Sequence, residues 1–197
     1  MVDKEKRKTR GRPRCFDRDE ALAKAQALFH AHGYDGVGVA ALAQAMGVNP
    51  PSLYAAFGSK AALYEEVLAR YDKGAEPLRD ILRAGADPTA ALATLLREVA
   101  HIYAADPGAA GCMVLEGARS VDPDATCRAR AFLDMGRGRM RDFVAITHPH
   151  VADVVADYMA AVMSGMSADA RAGKPAEEIA AVADMAGLAI EAMLAPR

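Results

Sequence analysis

The stretch "VAALAQAMGVNPPSLYAAF", residues 39–57, places two prolines side by side where a short helix should begin. Ahead of them, "VAALAQAM" carries helix-forming residues and ends at Gly47, which can take the left-handed conformation a tight turn needs. Ala43 is small enough to let a second helix cross closely. Leu42, Met46, Val48, Leu53 and Phe57 supply anchors for a shared apolar core. Two short helices joined by a tight turn form a helix-turn-helix, an arrangement whose second helix lies in the major groove of DNA.

The prolines fit that reading. The first N–H groups of a helix have no internal partner, so Pro50 and Pro51 lose little by lacking theirs. Asn49 precedes a proline and is driven to extended geometry, which suits an N-cap, and its side chain can then reach only the N–H of Ser52. Pro51 in turn disfavours helical geometry at Pro50, so the cap falls on Asn49 or one residue later. A helix start without those N–H groups makes a poor phosphate cradle but a stiff apolar wedge. Pro50 and Ala55 suit thymine methyls, Asn49 and Ser52 are the hydrogen-bonding readers, and Tyr54 reaches a phosphate or a base edge.

Residues 11–71, "GRPRCFDRDEALAKAQALFHAHGYDGVGVAALAQAMGVNPPSLYAAFGSKAALYEEVLARY", resemble the DNA-binding domain of the TetR family of transcriptional regulators. The resemblance rests on Gly33-Tyr34, "ALAQAMGV", "SLYAAFGSK" and Leu63-Tyr64. It implies a homodimer on a palindromic operator and a small-molecule effector pocket in a variable C-terminal domain. Tyr54 and Lys60 match positions that usually hold the DNA backbone. One departure stands out: the family's Ser/Thr before the turn is replaced by Val37-Gly38-Val39, which removes an expected phosphate clamp and weakens the cap.

The formal charge of −2 conceals an asymmetry. Residues 1–71 carry 11 Lys/Arg against 8 Asp/Glu, and "MVDKEKRKTRGRPR" alone holds seven basic and two acidic residues. Arg10, Arg12 and Arg14 form an arm suited to a polyanion, and beside Gly and Pro such an arm can enter a narrow minor groove. No apolar run reaches the ~20 residues that span a bilayer, which points to a cytoplasmic protein without a membrane partner. Cys15, Cys112 and Cys127 are odd in number and scattered, arguing against a disulfide framework.

Apolar spacings of three and four throughout predict an all-α protein. The boundary near Lys73-Gly74 and the resemblance together imply three parts: a basic arm (1–14), the helix-turn-helix domain (15–73) and a C-terminal effector-binding and dimerisation domain (74–197). The first helix opens at Asp17 with Glu20 in a capping-box arrangement, and a helix over 60–73 follows the turn. Beyond it, Asp-Pro pairs and periodicity predict helices over 77–84, 88–105, 111–120, 123–146, 150–172 and 175–194.

Tyr103, Met113, Leu115, Phe132, Met135, Met140, Phe143, Met159 and Met163 are candidates for a pocket wall or plain core, since methionine suits adaptable cavities. The last two helices are rich in Ala and Gly, which suits a four-helix interface between two subunits or close packing within one chain. Cys112, in "PGAAGCMVLEGA", is either a buried small residue or a thiol activated at a helix start. The second option makes an electrophile-, oxidant- or metal-responsive repressor the alternative to release by a noncovalent effector. His148 and His150 lack companion ligands, so no metal site is expected, and His30 and His32 read as solvent-side. No nucleophile–base pair or phosphate loop is evident, so neither an enzyme nor a cofactor is expected.

Overall fold

A computed structural model describes residues 16–195, among which every regular element is helical. In chain order these are α1 (Arg18–His32), α2 (Val39–Met46), α3 (Pro50–Phe57), α4 (Lys60–Gly74), α5 (Glu76–Ile81), α6 (Pro88–Ala105), α7 (Met113–Gly117), α8 (Pro123–Ala145), α9 (Ala152–Arg171) and α10 (Ala176–Leu194), with a 3₁₀ turn at Pro107–Ala109. Arg10, Arg12, Arg14 and Cys15 lie outside the described residues.

Side-chain caps set half of the α-helix starts. Asp17 accepts from the N–H groups of Asp19 and Glu20, Ser59 from Ala62, Asp87 from Ala90, and Asp122 from Asp124 and Ala125. The return half of the expected capping box is replaced: Glu20 pairs with Lys24 one turn on, at 2.7 Å. Gly47 takes the left-handed conformation (φ 71°, ψ 30°) that the turn between α2 and α3 requires. Several C-terminal elements differ at their ends from the predicted spans. The helix expected over 111–120 shrinks to α7, because Gly111 has φ +73° and Cys112 is extended.

α1 to α4 pack around Phe29, Tyr34 and Tyr64, whose ring centroids lie 5.0–5.8 Å apart. Gly33, at φ 70°, turns the chain so that Tyr34 folds back into this cluster. The buried side chains continue without a break into the C-terminal helices. Tyr64 donates its hydroxyl proton to the carbonyl of Met113 at 3.1 Å, fastening α4 to α7. A second junction lies at the end of α1. There Arg171 of α9 donates to the carbonyls of His30 and Ala110, and the Ser167 hydroxyl accepts from the N–H of Cys112. A third is made by Asp35, which accepts from the Ser120 hydroxyl and the Val121 N–H.

The inner face of α10 packs along α6, closely enough at Gly187 that an added Cβ would sit 3.3 Å from that of Ala93. Small residues here therefore serve packing within the chain. The outer face keeps Val182, Met185 and Leu188 exposed, and Val154 on α9 is exposed as well.

Candidate nucleic-acid interface and ligand cavity

α3 buries Leu53 and Phe57 and presents Pro50, Pro51, Ser52, Tyr54 and Ala55 to solvent, with Tyr54 47% exposed. Asn49 is the N-cap: it is extended (φ −89°, ψ 158°), and its Oδ1 accepts from the N–H of Ser52 at 2.8 Å. The choice left by the double proline is thus settled in favour of Asn49. Because this is the helix's side-chain cap, Asn49→Ala is expected to lower stability by about 1 kcal/mol, read as a shift of the urea midpoint. An unchanged midpoint would mean that the two prolines hold the helix start without it.

The brace under α3 has no counterpart among the sequence expectations. Arg18 of α1 lies 4.4 Å from the Phe57 ring centroid, donates to the Ala56 carbonyl at 2.9 Å and forms a bidentate pair with Glu66 on α4. A cation near the expected phosphate face is here spent on fixing α3 between α1 and α4; only its distant partner, Glu66, distinguishes it from a free surface arginine. Lys60 is also committed. Its Nζ donates to the Tyr34 carbonyl at 2.7 Å and lies 3.9 Å from the centre of that ring, and burial lowers its pKa. Burial and the Asp122 carboxylate push the Tyr34 phenol up to about 12. No lysine or arginine occurs between Lys24 and Lys60. α2 has Gly38 at its N-cap and so no side-chain cap, as expected from the missing Ser/Thr.

A cavity of about 1140 Å³ opens between α4, α5, α6, α8 and α9. Of the candidates for its wall, Tyr103, Cys112, Leu115, Phe132, Met140 and Met163 line it. Met113 and Met159 do not: both are fully buried core residues. Phe143 is likewise packed away from the wall, and Met135 points outward, 44% exposed. The N-terminal helices contribute Gln26 of α1 and the end of α4, residues 70–74, with Tyr71 among them. Tyr71 extends the buried run Leu63, Tyr64, Val67, Leu68 by one more helical step, which is the signal that could have found it.

Cys112, Tyr71 and Tyr103 all line the cavity. Desolvation is the main cause that raises both phenols well above their ordinary value, so both stay protonated. Cys112 is buried and Cys127 exposed, and both are free thiols. His30 is not solvent-side as expected. Its Nε2 is 3.1 Å from the Gly111 carbonyl, its ring meets Tyr71 edge-on, and burial lowers its pKa. Among the described residues no group of three or more His, Cys, Asp or Glu is placed to hold a metal, and no helix is long and apolar enough to cross a membrane.

Residues 21–67, from α1 into α4, match the family model described as "Bacterial regulatory proteins, tetR family". Over 195 residues, 98% of this chain and 99% of the relative, the sequence is 45% identical to the HTH-type transcriptional repressor BdcR of Escherichia coli (strain K12). The chain belongs to the TetR family. It is 30% identical over 195 residues to the HTH-type transcriptional repressor ComR of the same organism, covering 90% of each chain. A solved structure of the TetR-family regulator CifR, a cysteine mutant complexed with 26-base-pair double-strand operator DNA, superposes with a TM-score of 0.79 at 35% identity. That match covers 90% of this chain and 99% of CifR. The protein is accordingly a TetR-family DNA-binding transcriptional repressor, not an enzyme, with the helix-turn-helix and helical C-terminal half of that family.

Proposed function

We propose that the protein is a homodimeric repressor released from a palindromic operator by a small molecule held in the cavity. Residues 15–73 act as the DNA-binding unit, 74–197 as the effector-binding and dimerisation unit, and 1–14 as the basic arm. The exposed face of α3 reads the major groove through Asn49, Pro50, Ser52, Tyr54 and Ala55. Lys60 and the arm residues Arg10, Arg12 and Arg14 hold the backbone. α9 and α10 pair two subunits, a reading supported by the apolar surface of Val154, Val182, Met185 and Leu188.

The observation that carries effector release is the position of Tyr71. It lies on the cavity wall and on α4, the helix that Arg18 straps to α3. A ligand that displaces Tyr71 shifts the seat of α3, and two such helices must stay roughly 34–36 Å apart to fit one duplex turn. The expected coupling free energy is about 1–3 kcal/mol, a loss of operator affinity of roughly 5- to 150-fold. Operators selected from random DNA should be palindromic, and a ligand that raises the protein's melting temperature should weaken their binding by that factor. A stabilising ligand that leaves operator affinity unchanged would refute effector release.

A second reading is favoured by Cys112 lining the same cavity. Alkylation of its sulfur would fill part of the cavity and bias the same helices. A Cys112→Ser protein that still leaves DNA on exposure to an electrophile would eliminate this route.

A further inference from the structure

Among the described residues two buried side-chain atoms have no hydrogen-bond partner: Gln26 Oε1 on α1 and Arg128 Nε on α8. The Arg128 guanidinium is held by Glu65, and the residue does not line the large cavity. Gln26 does, and it is the one residue of α1 that does so. A buried amide oxygen without a donor leaves its desolvation uncompensated, and folded proteins keep such atoms only rarely.

The rest of the wall makes no comparable demand. Tyr71 and Tyr103 also line the cavity, but a hydroxyl both donates and accepts and turns to suit its partner. An amide oxygen only accepts. Among the charged lining residues, Asp72 is held by Arg79 and Arg139, and Arg137 pairs with Asp153 and Asp157. Arg70, Lys73, Glu76 and Glu98 are exposed. A ligand cation or anion would therefore be buried without a free buried counter-charge, which is costly. The inner wall is apolar, built from Val99, Val114, Leu115, Phe132, Leu133 and Met140. A ketone or ether oxygen would bring a second acceptor to Gln26 Oε1; a neutral N–H or O–H satisfies it. The terminal torsion of a glutamine is soft, so the amide can turn its oxygen to a donor in the cavity.

We propose that the effector is an uncharged, largely apolar molecule that donates one hydrogen bond, from an N–H or O–H group, to Gln26 Oε1. This rests on the effector-cavity reading and specifies its ligand chemistry. Gln26 is the specificity determinant, and the walls contribute shape and apolar burial. Its place also matters for release. Gln26 stands about two helical turns along α1 from Arg18, whose guanidinium donates to the Ala56 carbonyl of α3. The ligand's bond is thus made to the helix that braces α3.

The test uses the full chain and four probes of one general shape. Diphenylamine carries an N–H, diphenylmethane neither donor nor acceptor, benzophenone an acceptor only, and aminodiphenylmethane a positive charge. Calorimetric titration is expected to rank diphenylamine about tenfold tighter than diphenylmethane, with the ketone and the cation both weaker than diphenylamine. Gln26→Met keeps an unbranched side chain and deletes the amide. It should reduce the diphenylamine preference to within about twofold while diphenylmethane still binds. It should also raise the urea midpoint of the ligand-free protein, because an unsatisfied buried acceptor has been removed. Gln26→Leu reads the same two effects if the methionine variant fails to fold.

Equal binding of diphenylamine and diphenylmethane would mean that the oxygen finds its donor elsewhere. That result, a ketone or cation bound as tightly as diphenylamine, or a midpoint lowered by both substitutions would overturn the donor assignment and leave the cavity reading standing. Failure of all four probes to bind a folded, operator-binding protein would overturn both. Diphenylamine should release the wild-type protein from operator DNA and leave Gln26→Met bound; equal release of the two would overturn Gln26 as the determinant.

Discussion

Gly117→Ala is expected to lower the stability of the folded chain by roughly 2–3 kcal/mol, as overpacking does in a close-packed interior. A Cβ at this position would lie 2.0 Å from the Tyr64 hydroxyl oxygen, 2.9 Å from the carbon bearing it and 3.1 Å from the adjoining ring carbon. Tyr64 cannot swing aside: its ring is fully buried against Phe29 and Tyr34, and its hydroxyl is bonded to the Met113 carbonyl. The glycine is therefore required by close approach, not by backbone conformation, since it lies inside α7 without a positive φ.

A double-mutant cycle isolates the cause. Tyr64→Phe removes the closest atom and should itself cost about 1 kcal/mol through removal of the hydrogen bond. In that background Gly117→Ala should cost at least ~1 kcal/mol less than in the wild type, because the two changes meet at the same atom. Urea denaturation of the four proteins measures the coupling. Identical costs in the two backgrounds would show that α7 yields by another route and that the joint between α4 and α7 is not rigid.

That joint also marks where the sequence stops being legible. The helix-turn-helix could be read because its determinants are local: Asn49 caps α3 through an N–H three residues away, Gly47 turns the chain where it stands, and Asp17, Asp87 and Asp122 each start a helix in their own neighbourhood. The cavity could be read only in part, because its wall is assembled across the chain. The periodicity of the C-terminal half points to Tyr103, Phe132 and Met163 but not to Tyr71 and Gln26, which arrive from α4 and α1. Periodicity cannot separate Met163 on the wall from Met159 one turn earlier in the core. Both share the inner side of α9, and only the neighbouring helices decide which borders empty space. His30 escapes a sequence reading for the same reason: the partner that draws it inward, Gly111, is 81 residues away.

The second large effect concerns salt. For about 6–10 phosphate contacts per dimer, operator affinity should fall by roughly 10³–10⁵ between 50 and 200 mM salt. The body of the DNA-binding half is poorly equipped to supply that dependence. No lysine or arginine lies between Lys24 and Lys60, Arg18 is tied to Glu66 and the Ala56 carbonyl, and Lys60 keeps one ammonium proton on the Tyr34 carbonyl. The N-terminal arm, by contrast, concentrates seven basic residues in fourteen.

Deleting residues 1–14 should therefore reduce the slope of log affinity against log salt by more than half. Lys60→Met should reduce it by about 0.9 for each phosphate that the ammonium neutralises, and Tyr54→Phe should weaken binding with the slope unchanged, because a phenol releases no counterion. Gel shifts at four salt concentrations distinguish these cases. A truncated protein whose slope matches that of the full chain would place the phosphate contacts on the helical body, through backbone N–H groups and the remaining cations. The face of α3 would then have to grip the backbone as well as read the bases. With two of its first N–H groups removed by Pro50 and Pro51, it is the helix start least suited to that task.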